Sequence, residues 1–220
     1  MKFTKDEIRQ SMLLYAVTDR MWLREGQTLA QVTERVLQSG ATFLQLREKE
    51  LAHDAFLAEA VELKALCARY HVPFVVNDAI DIALACGADG VHVGQSDIVG
   101  RDVRAMIGPD RLLGISANTV ETAVAAQRAG ADYIGVGAVF GTTTKKDAET
   151  LSAEALRAIC GAVDIPVVAI GGISKDNIAQ LSGSGVDGVA VISAIYGQPD
   201  PAAATTDLLE RARNMVSAHG

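Results

Sequence analysis

The chain has 220 residues, nearly half of them hydrophobic, and a formal net charge of -7. This length and apolar content suit one domain with a sizeable core and exclude a disordered chain. The acidic balance argues against a general nucleic-acid surface or anionic-membrane surface, so any anion binding must be local.

The N-terminal stretch "MKFTKDEIRQ" is charged and helix-like, and it reads as neither a signal peptide nor a membrane anchor. Eight apolar runs follow. In chain order they are "LLYAVTD" from Leu13, "SGATFLQLR" from Ser39, "VPFVVND" from Val72, "CGADGVHVG" from Cys86, "LLGISAN" from Leu112, "AGADYIGVG" from Ala129, "IPVVAIGG" from Ile165 and "SGVDGVAVI" from Ser184. The even-numbered runs repeat one pattern: a glycine, a small residue, a spacer, then apolar residues. Each follows an amphipathic segment such as "TLAQVTERVLQ" or "TVETAVAAQR", so the pattern predicts a helix stopped by a C-cap glycine and a tight turn into a strand. The odd-numbered runs are continuous rather than alternating, as in parallel strands covered on both faces. Two of them carry a proline near the start, where its missing N–H does little harm.

Strands and helical segments alternate eight times. An open doubly wound sheet would also alternate. Eight units, a half-barrel periodicity and the lack of an early GxGxxG favour a closed (β/α)8 barrel, a TIM barrel over residues 1–220 as a single domain. The "DPAAATTDLLERARNMVSA" segment is then a flanking helix. In such a barrel the active site lies at the C-terminal ends of the strands.

Those ends are polar. They supply Thr18 and Asp19, then Gln45, Arg47 and Lys49, then Asn77 and Asp78, then His92, Gln95 and Asp97, then Ser116 and Asn118. The sixth run leads into "FGTTTKKD", with Thr142, Thr143, Thr144, Lys145 and Lys146. Gln45, Arg47 and Lys49 alternate with Leu46 and Glu48, so all three face the barrel mouth if the strand persists. A buried Arg and Lys need anionic partners. Glu48 and Glu50 are candidates, but Glu48 would point to the opposite side. A multiply charged ligand suits better, gripped by the Arg fork and the Lys point charge.

Asp78 and Asp97 fall on neighbouring strands, where two acids beside cations suggest Mg2+ with substrate phosphate oxygens. Both also precede helical segments, so N-capping is equally available to them. His92 in "GVHVG" reads as a core or supporting histidine, with no second histidine at metal spacing. "IGGI" at 170–173 and "VISAI" at 191–195 follow strands seven and eight, where many barrels hold a phosphate on backbone N–H groups. Gly172 permits close backbone approach and Ser193 offers an amide and a hydroxyl. The rim thus has one cation-rich anion feature and one neutral, backbone-based feature, a pattern that fits one diphosphate and one monophosphate substrate. Cys67, Cys86 and Cys160 are odd in number with no CxxC pair, as expected of reduced cysteines in a cytoplasmic protein.

"YAVTD", "QLREK", "DGVHVGQSD", "GIS", "DYIGVGAVFGTTTKKD", "AIGGI" and "VISAI" occur in this order across positions 15–195. The set closely resembles the thiamine phosphate synthase (thiamine-phosphate pyrophosphorylase) family. The resemblance implies a (β/α)8 transferase of the alkyl- and aryl-group class in thiamine biosynthesis. It would join 4-amino-2-methyl-5-(diphosphooxymethyl)pyrimidine to a plain or carboxylated thiazole phosphate, with Mg2+ assisting. By motif match, Gln45, Arg47, Lys49, Asn77, Ser116 and Lys145 would hold the pyrimidine diphosphate. Arg47, Lys49, Ser116 and Lys145 would form the catalytic set. Asp78 and Asp97 would hold Mg2+, and Thr142, Thr144, Gly172, Ile192 and Ser193 the thiazole phosphate. The implied partners are small-molecule substrates, with no nucleic acid and no membrane; a homo-oligomer is left open.

Two other readings use the same barrel. A thiazole tautomerase would turn over thiazole phosphate alone without metal; the synthase family often has a histidine where this chain has Asn118, and the related tautomerases use a histidine in that region for proton transfer, which asparagine cannot supply at neutral pH. A non-catalytic phosphate-binding barrel would bind ligand without product, against which the intact Arg47, Lys49, Asp78, Asp97 and Lys145 set weighs.

Overall fold

The computed structural model describes residues 3–141 and 150–217. Each apolar run carries one parallel strand: β1 Leu14–Val17, β2 Phe43–Leu46, β3 Phe74–Asn77, β4 Gly90–Val93, β5 Leu112–Ala117, β6 Tyr133–Val136, β7 Val167–Ile170 and β8 Gly188–Val191. They pair in chain order, and β1 closes the barrel on β8, which excludes the open-sheet alternative. The helices are α1 Lys5–Ser11, α2 Leu29–Gln38, α3 His53–Tyr70, α4 Ile80–Ala85, α5 Val103–Ile107, α6 Val120–Arg128, α7 Ala153–Gly161 and α8 Pro201–Ser217. Among the described residues no helix is long and apolar enough to cross a membrane.

The strands separate two apolar layers, which explains why the runs read as continuous. Inside the barrel lie Tyr15, Val17, Phe43, Val75, Leu112, Tyr133, Val168 and Ala190, joined at the N-terminal end by Ile8 and Met12 around α1. Outside, Leu44, Val76, Val91, Ile115, Ile134 and Val189 belong to one cluster with helix residues such as Leu63, Ile82, Leu156 and Leu208.

The repeated glycine does what its spacing predicts in three copies. Gly40, Gly87 and Gly130 follow α2, α4 and α6 at φ of 103°, 66° and 84°. The next amide then reaches back over the helix end: Ala41 N–H to the Val36 carbonyl at 3.3 Å, Ala88 to Ala83 at 2.9 Å and Ala131 to Ala126 at 3.1 Å. This is a left-handed cap that satisfies a late helix carbonyl. The fourth copy differs from the expectation. "SGVDGVAVI" follows a four-residue 3-10 helix, Ile178–Leu181, rather than an amphipathic α-helix, although Gly185 still turns the chain at φ 89°.

One residue further on, each copy ties itself to the start of the preceding strand. The amides of Asp89, Asp132 and Asp187 donate to the carbonyls of Phe74, Leu113 and Val167, each at 2.8 Å. In return Oδ2 of Asp89, Asp132 and Asp187 accepts the amides of Phe74 at 3.0 Å, Leu113 at 2.8 Å and Val167 at 2.8 Å. In the first copy Thr42 plays both parts toward Leu14, through its amide at 2.9 Å and its hydroxyl at 2.8 Å. Each carboxylate also meets a cation: Lys64 on Asp89 at 2.7 Å, Arg104 on Asp132 at 2.6 Å and Arg9 on Asp187 at 2.7 Å.

All three cysteines are free, and burial pushes the Cys67 thiol up to about 12 and the Cys160 thiol up to about 11. They are therefore poor nucleophiles. Replacing Asp132 by Ala strands the Leu113 amide and removes the ion pair with Arg104, whose guanidinium keeps its bonds to the Gly108, Arg111 and Gly130 carbonyls. Urea unfolding of Asp132→Ala is expected to show a loss of about 1–3 kcal/mol.

Candidate active site

The polar strand ends gather at the C-terminal mouth of the barrel. Thr18, fully buried just after β1, bridges to β2: its amide donates to the Gln45 carbonyl at 3.0 Å and its hydroxyl accepts the Arg47 amide at 3.0 Å. This carries β1–β2 pairing one step past the last paired strand residues, Val17 and Gln45. It fixes the backbone from which Arg47 and Lys49 project.

Their placement corrects the alternation argument. β2 ends at Leu46, so Arg47 and Lys49 stand on the following loop and are not buried; their side chains are 25% and 54% exposed. Both already face acids. Arg47 Nη1 lies 3.6 Å from Asp19 Oδ2, and Lys49 Nζ lies 3.1 Å from Asp78 Oδ2. Glu48 points elsewhere. Its Oε2 accepts from Arg20 Nε at 2.6 Å, while Oε1 accepts the Lys49 and Glu50 amides at 2.8 and 2.9 Å. Arg20 also donates to Glu59 of α3 at 2.8 Å. Burial works to raise the Glu48 carboxyl, but Arg20 and the two amides outweigh it and leave it below the ordinary range. For Glu59 burial prevails over Arg20 and the carboxyl is raised. Glu48 is thus an anion folded into the loop, and it holds the Lys49 amide in place.

Neither Asp78 nor Asp97 is a helix N-cap. Asp78 has φ 62°, outside the extended region that an N-cap occupies, and Ala79 stands at the cap of α4. α5 starts at Val103, with Asp102 as its cap, so Asp97 lies too early; its Oδ2 folds back onto the Gly94 amide at 2.8 Å. Asp78 Oδ2 takes Asn77 Nδ2 at 2.6 Å as well as Lys49. Among the described residues no cluster of three metal-ligating side chains forms. Two carboxylates nevertheless match Mg2+, which completes its shell with waters and phosphate oxygens. Asp78 faces a cation already, and Oδ1 of both acids takes no part in the bonds above.

Gln45 and Ser116 lie deeper. Gln45 is 5% exposed and donates from Nε2 to the Tyr15 hydroxyl at 2.6 Å. The Tyr15 and Tyr133 hydroxyls are 2.9 Å apart, Tyr133 meets His92 Nδ1 at 3.2 Å, and His92 Nε2 meets Ser116 Oγ at 3.0 Å. Gln95 Nε2 donates to the Ser116 carbonyl at 2.6 Å. His92 is therefore interior, as its sequence context suggests. Tyr15 and Tyr133 escape a sequence reading because they pass for apolar core; a phenol at an inward strand position is the usable signal. Asn118 is exposed and outside this set, with its amide donating to Thr122 Oγ1 at 3.3 Å.

On the opposite side of the mouth, Gly172 adopts φ 65° against Phe140 and Gly141, where a Cβ would overlap the Gly141 carbonyl oxygen. Ile192 and Ser193 open a helical turn: Tyr196 N–H donates to the Ile192 carbonyl at 2.9 Å and Gly197 N–H to Ser193 at 3.1 Å. Thr142, Thr144 and Lys145 lie outside the described residues.

A closed (β/α)8 barrel with ionic and polar side chains at the C-terminal mouth is the architecture of a barrel enzyme. The family model described as thiamine monophosphate synthase matches residues 14–195, and the chain belongs to this family. It is 48% identical over 195 residues to the thiamine-phosphate synthase of Clostridium tetani, covering 89% of this chain and 93% of that one. The thiamine-phosphate synthase of Ruminiclostridium cellulolyticum is 50% identical over 197 residues, at 90% and 93% coverage. Among solved structures, thiamine phosphate pyrophosphorylase from Pyrococcus furiosus superposes with a TM-score of 0.86 at 38% identity, over 95% of this chain and 99% of that one.

The Glu48 brace has a direct test. In Glu48→Ala, hydrogen exchange at the Lys49 and Glu50 amides is expected to accelerate roughly tenfold or more, with distant barrel amides unchanged.

Proposed function

We propose that this chain condenses 4-amino-2-methyl-5-(diphosphooxymethyl)pyrimidine with a plain or carboxylated thiazole phosphate, releasing pyrophosphate and giving thiamine phosphate. The observation that carries this reading is the placement of Arg47, Lys49, Asn77 and Asp78 in one patch at the mouth, in a chain of this family. The reaction needs neither a covalent nucleophile nor a strong general base. An aminopyrimidine stabilises positive charge at its methylene, so the leaving group can depart first. The protein's tasks are to receive charge on the departing pyrophosphate and to hold the acceptor nitrogen in line.

Arg47 and Lys49 turn from Asp19 and Asp78 toward the diphosphate, assisted by Lys145. Asn77 and Ser116 place hydrogen bonds on the pyrimidine diphosphate, and Gln45 supports it from below. Mg2+ held by Asp78 and Asp97 would supply further neutralisation of the leaving group. The thiazole phosphate rests on the backbone at Gly172, Ile192 and Ser193, with Thr142 and Thr144. The free cysteines are in keeping with a cytoplasmic enzyme.

The purified chain is expected to release pyrophosphate and form thiamine phosphate only with both substrates and Mg2+ present. Thiazole phosphate turned over alone, without metal, would point to tautomerase chemistry instead. Arg47→Ala is expected to lower kcat/KM about a hundredfold or more, the scale for losing a transition-state charge contact. Activity unchanged in Asp78→Ala and Asp97→Ala would remove those residues from the metal site; the expected result is a raised Mg2+ requirement.

A further inference from the structure

Five side chains form one hydrogen-bonded row across the barrel interior: Gln45, Tyr15, Tyr133, His92 and Ser116. The two phenols are fully buried, and burial raises both above the ordinary phenol value, so both keep their protons. Buried hydroxyls need an acceptor for that proton. Tyr15 receives the Gln45 amide, so its own proton goes to the Tyr133 oxygen. Tyr133 must then donate onward, to His92 Nδ1. A ring that accepts at Nδ1 carries its proton on Nε2 and donates it to Ser116 Oγ. The Ser116 hydroxyl proton is thereby released toward the mouth.

The barrel wall is shaped for this row. Gly114 of β5 pairs with Tyr133, and a Cβ there would overlap the Tyr133 ring and hydroxyl. A Cβ on Gly135 of β6 would come within 3.1 Å of His92 Cε1. Strand glycines facing the interior forgo packing, and here they make room for the histidine and the tyrosine.

We infer that Gln45, Tyr15, Tyr133 and His92 are positioning residues that hold Ser116 as a one-way hydrogen-bond donor to the anionic diphosphate. This rests on the assignment of Ser116 to that substrate. The direction matters chemically. If the row ran the other way, from Ser116 to Gln45, Ser116 would donate to His92 and present only lone pairs to the ligand, which a diphosphate would repel.

The tautomer is measurable without activity. In full-length wild-type protein labelled with 15N at histidine, NMR is expected to show His92 with its proton on Nε2 and a bare Nδ1 at neutral pH. A proton on Nδ1, or on both nitrogens, overturns the proposal. Tyr133→Phe removes the donor to Nδ1, so its Nδ1 resonance is expected to shift as that hydrogen bond is lost. Turnover in Tyr133→Phe and His92→Leu is expected to fall roughly five- to tenfold in kcat, the worth of one hydrogen bond. His92→Gln, whose side-chain amide can still donate to Ser116, is expected to recover most of the loss; equal damage in Gln and Leu variants counts against a donor role. Unchanged turnover in Ser116→Ala would overturn the Ser116 assignment separately, because the wild-type tautomer is read independently of it.

Discussion

The barrel depends on a reciprocal hydrogen bond made four times at its N-terminal end. Thr42, Asp89, Asp132 and Asp187 each donate an amide to a carbonyl at the start of the preceding strand, the first or, at Leu113, the second, and accept that residue's own amide on a side-chain oxygen. Such a clamp admits one register only, since a slip by one residue would turn the inward layer outward. Register at the bottom decides which residues stand side by side at the top. It is why Asn77 lies opposite His92 and Ser116 opposite Gly135.

With register set, the interior is filled by a small number of large side chains. Tyr15, Phe43 and Tyr133 pack with ring centroids 4.4 to 6.0 Å apart. Above this apolar floor the inward positions turn polar, at Gln45, Asn77, His92 and Ser116. The apolar floor keeps water from the row beneath Ser116, and hydrogen bonds in such surroundings are stronger and more directional than in water.

Much of this was legible in the sequence, for specific reasons. Strands buried on both faces leave uninterrupted apolar runs, and a left-handed cap demands glycine, so Gly40, Gly87 and Gly130 mark three helix ends. The departures come where local pattern yields to geometry. "NIAQL" spaces its apolar residues Ile178 and Leu181 three apart, which a 3-10 turn satisfies without an α-helix. The alternation of Gln45, Arg47 and Lys49 was extended past Leu46, where ladder pairing stops. N-capping stays open for Asp78 in the sequence because the left-handed turn at that residue leaves no trace in composition. The interior phenols were invisible because a tyrosine in an apolar run reads as core.

The two cations at the mouth raise a final energetic question: why pair them with acids before substrate arrives? Exposed ion pairs contribute only about 0–1 kcal/mol, so opening Lys49–Asp78 costs little, whereas Arg47 meets the buried Asp19 only at a long 3.6 Å. Unpaired, the same side chains would sample many rotamers and lose up to about 2 kcal/mol of entropy each on binding. The acids hold them near the mouth at low cost. A diphosphate, with more negative charge than a single carboxylate, can then take Arg47 bidentately and Lys49 as a point charge. The exchange has a second consequence at Asp78. Once Lys49 turns to the ligand, its carboxylate needs a new cation, so substrate binding and metal binding at that residue should favour each other. On the proposed function, Lys49 and a metal would compete for Asp78, and the diphosphate would relieve that competition by offering Lys49 a stronger partner.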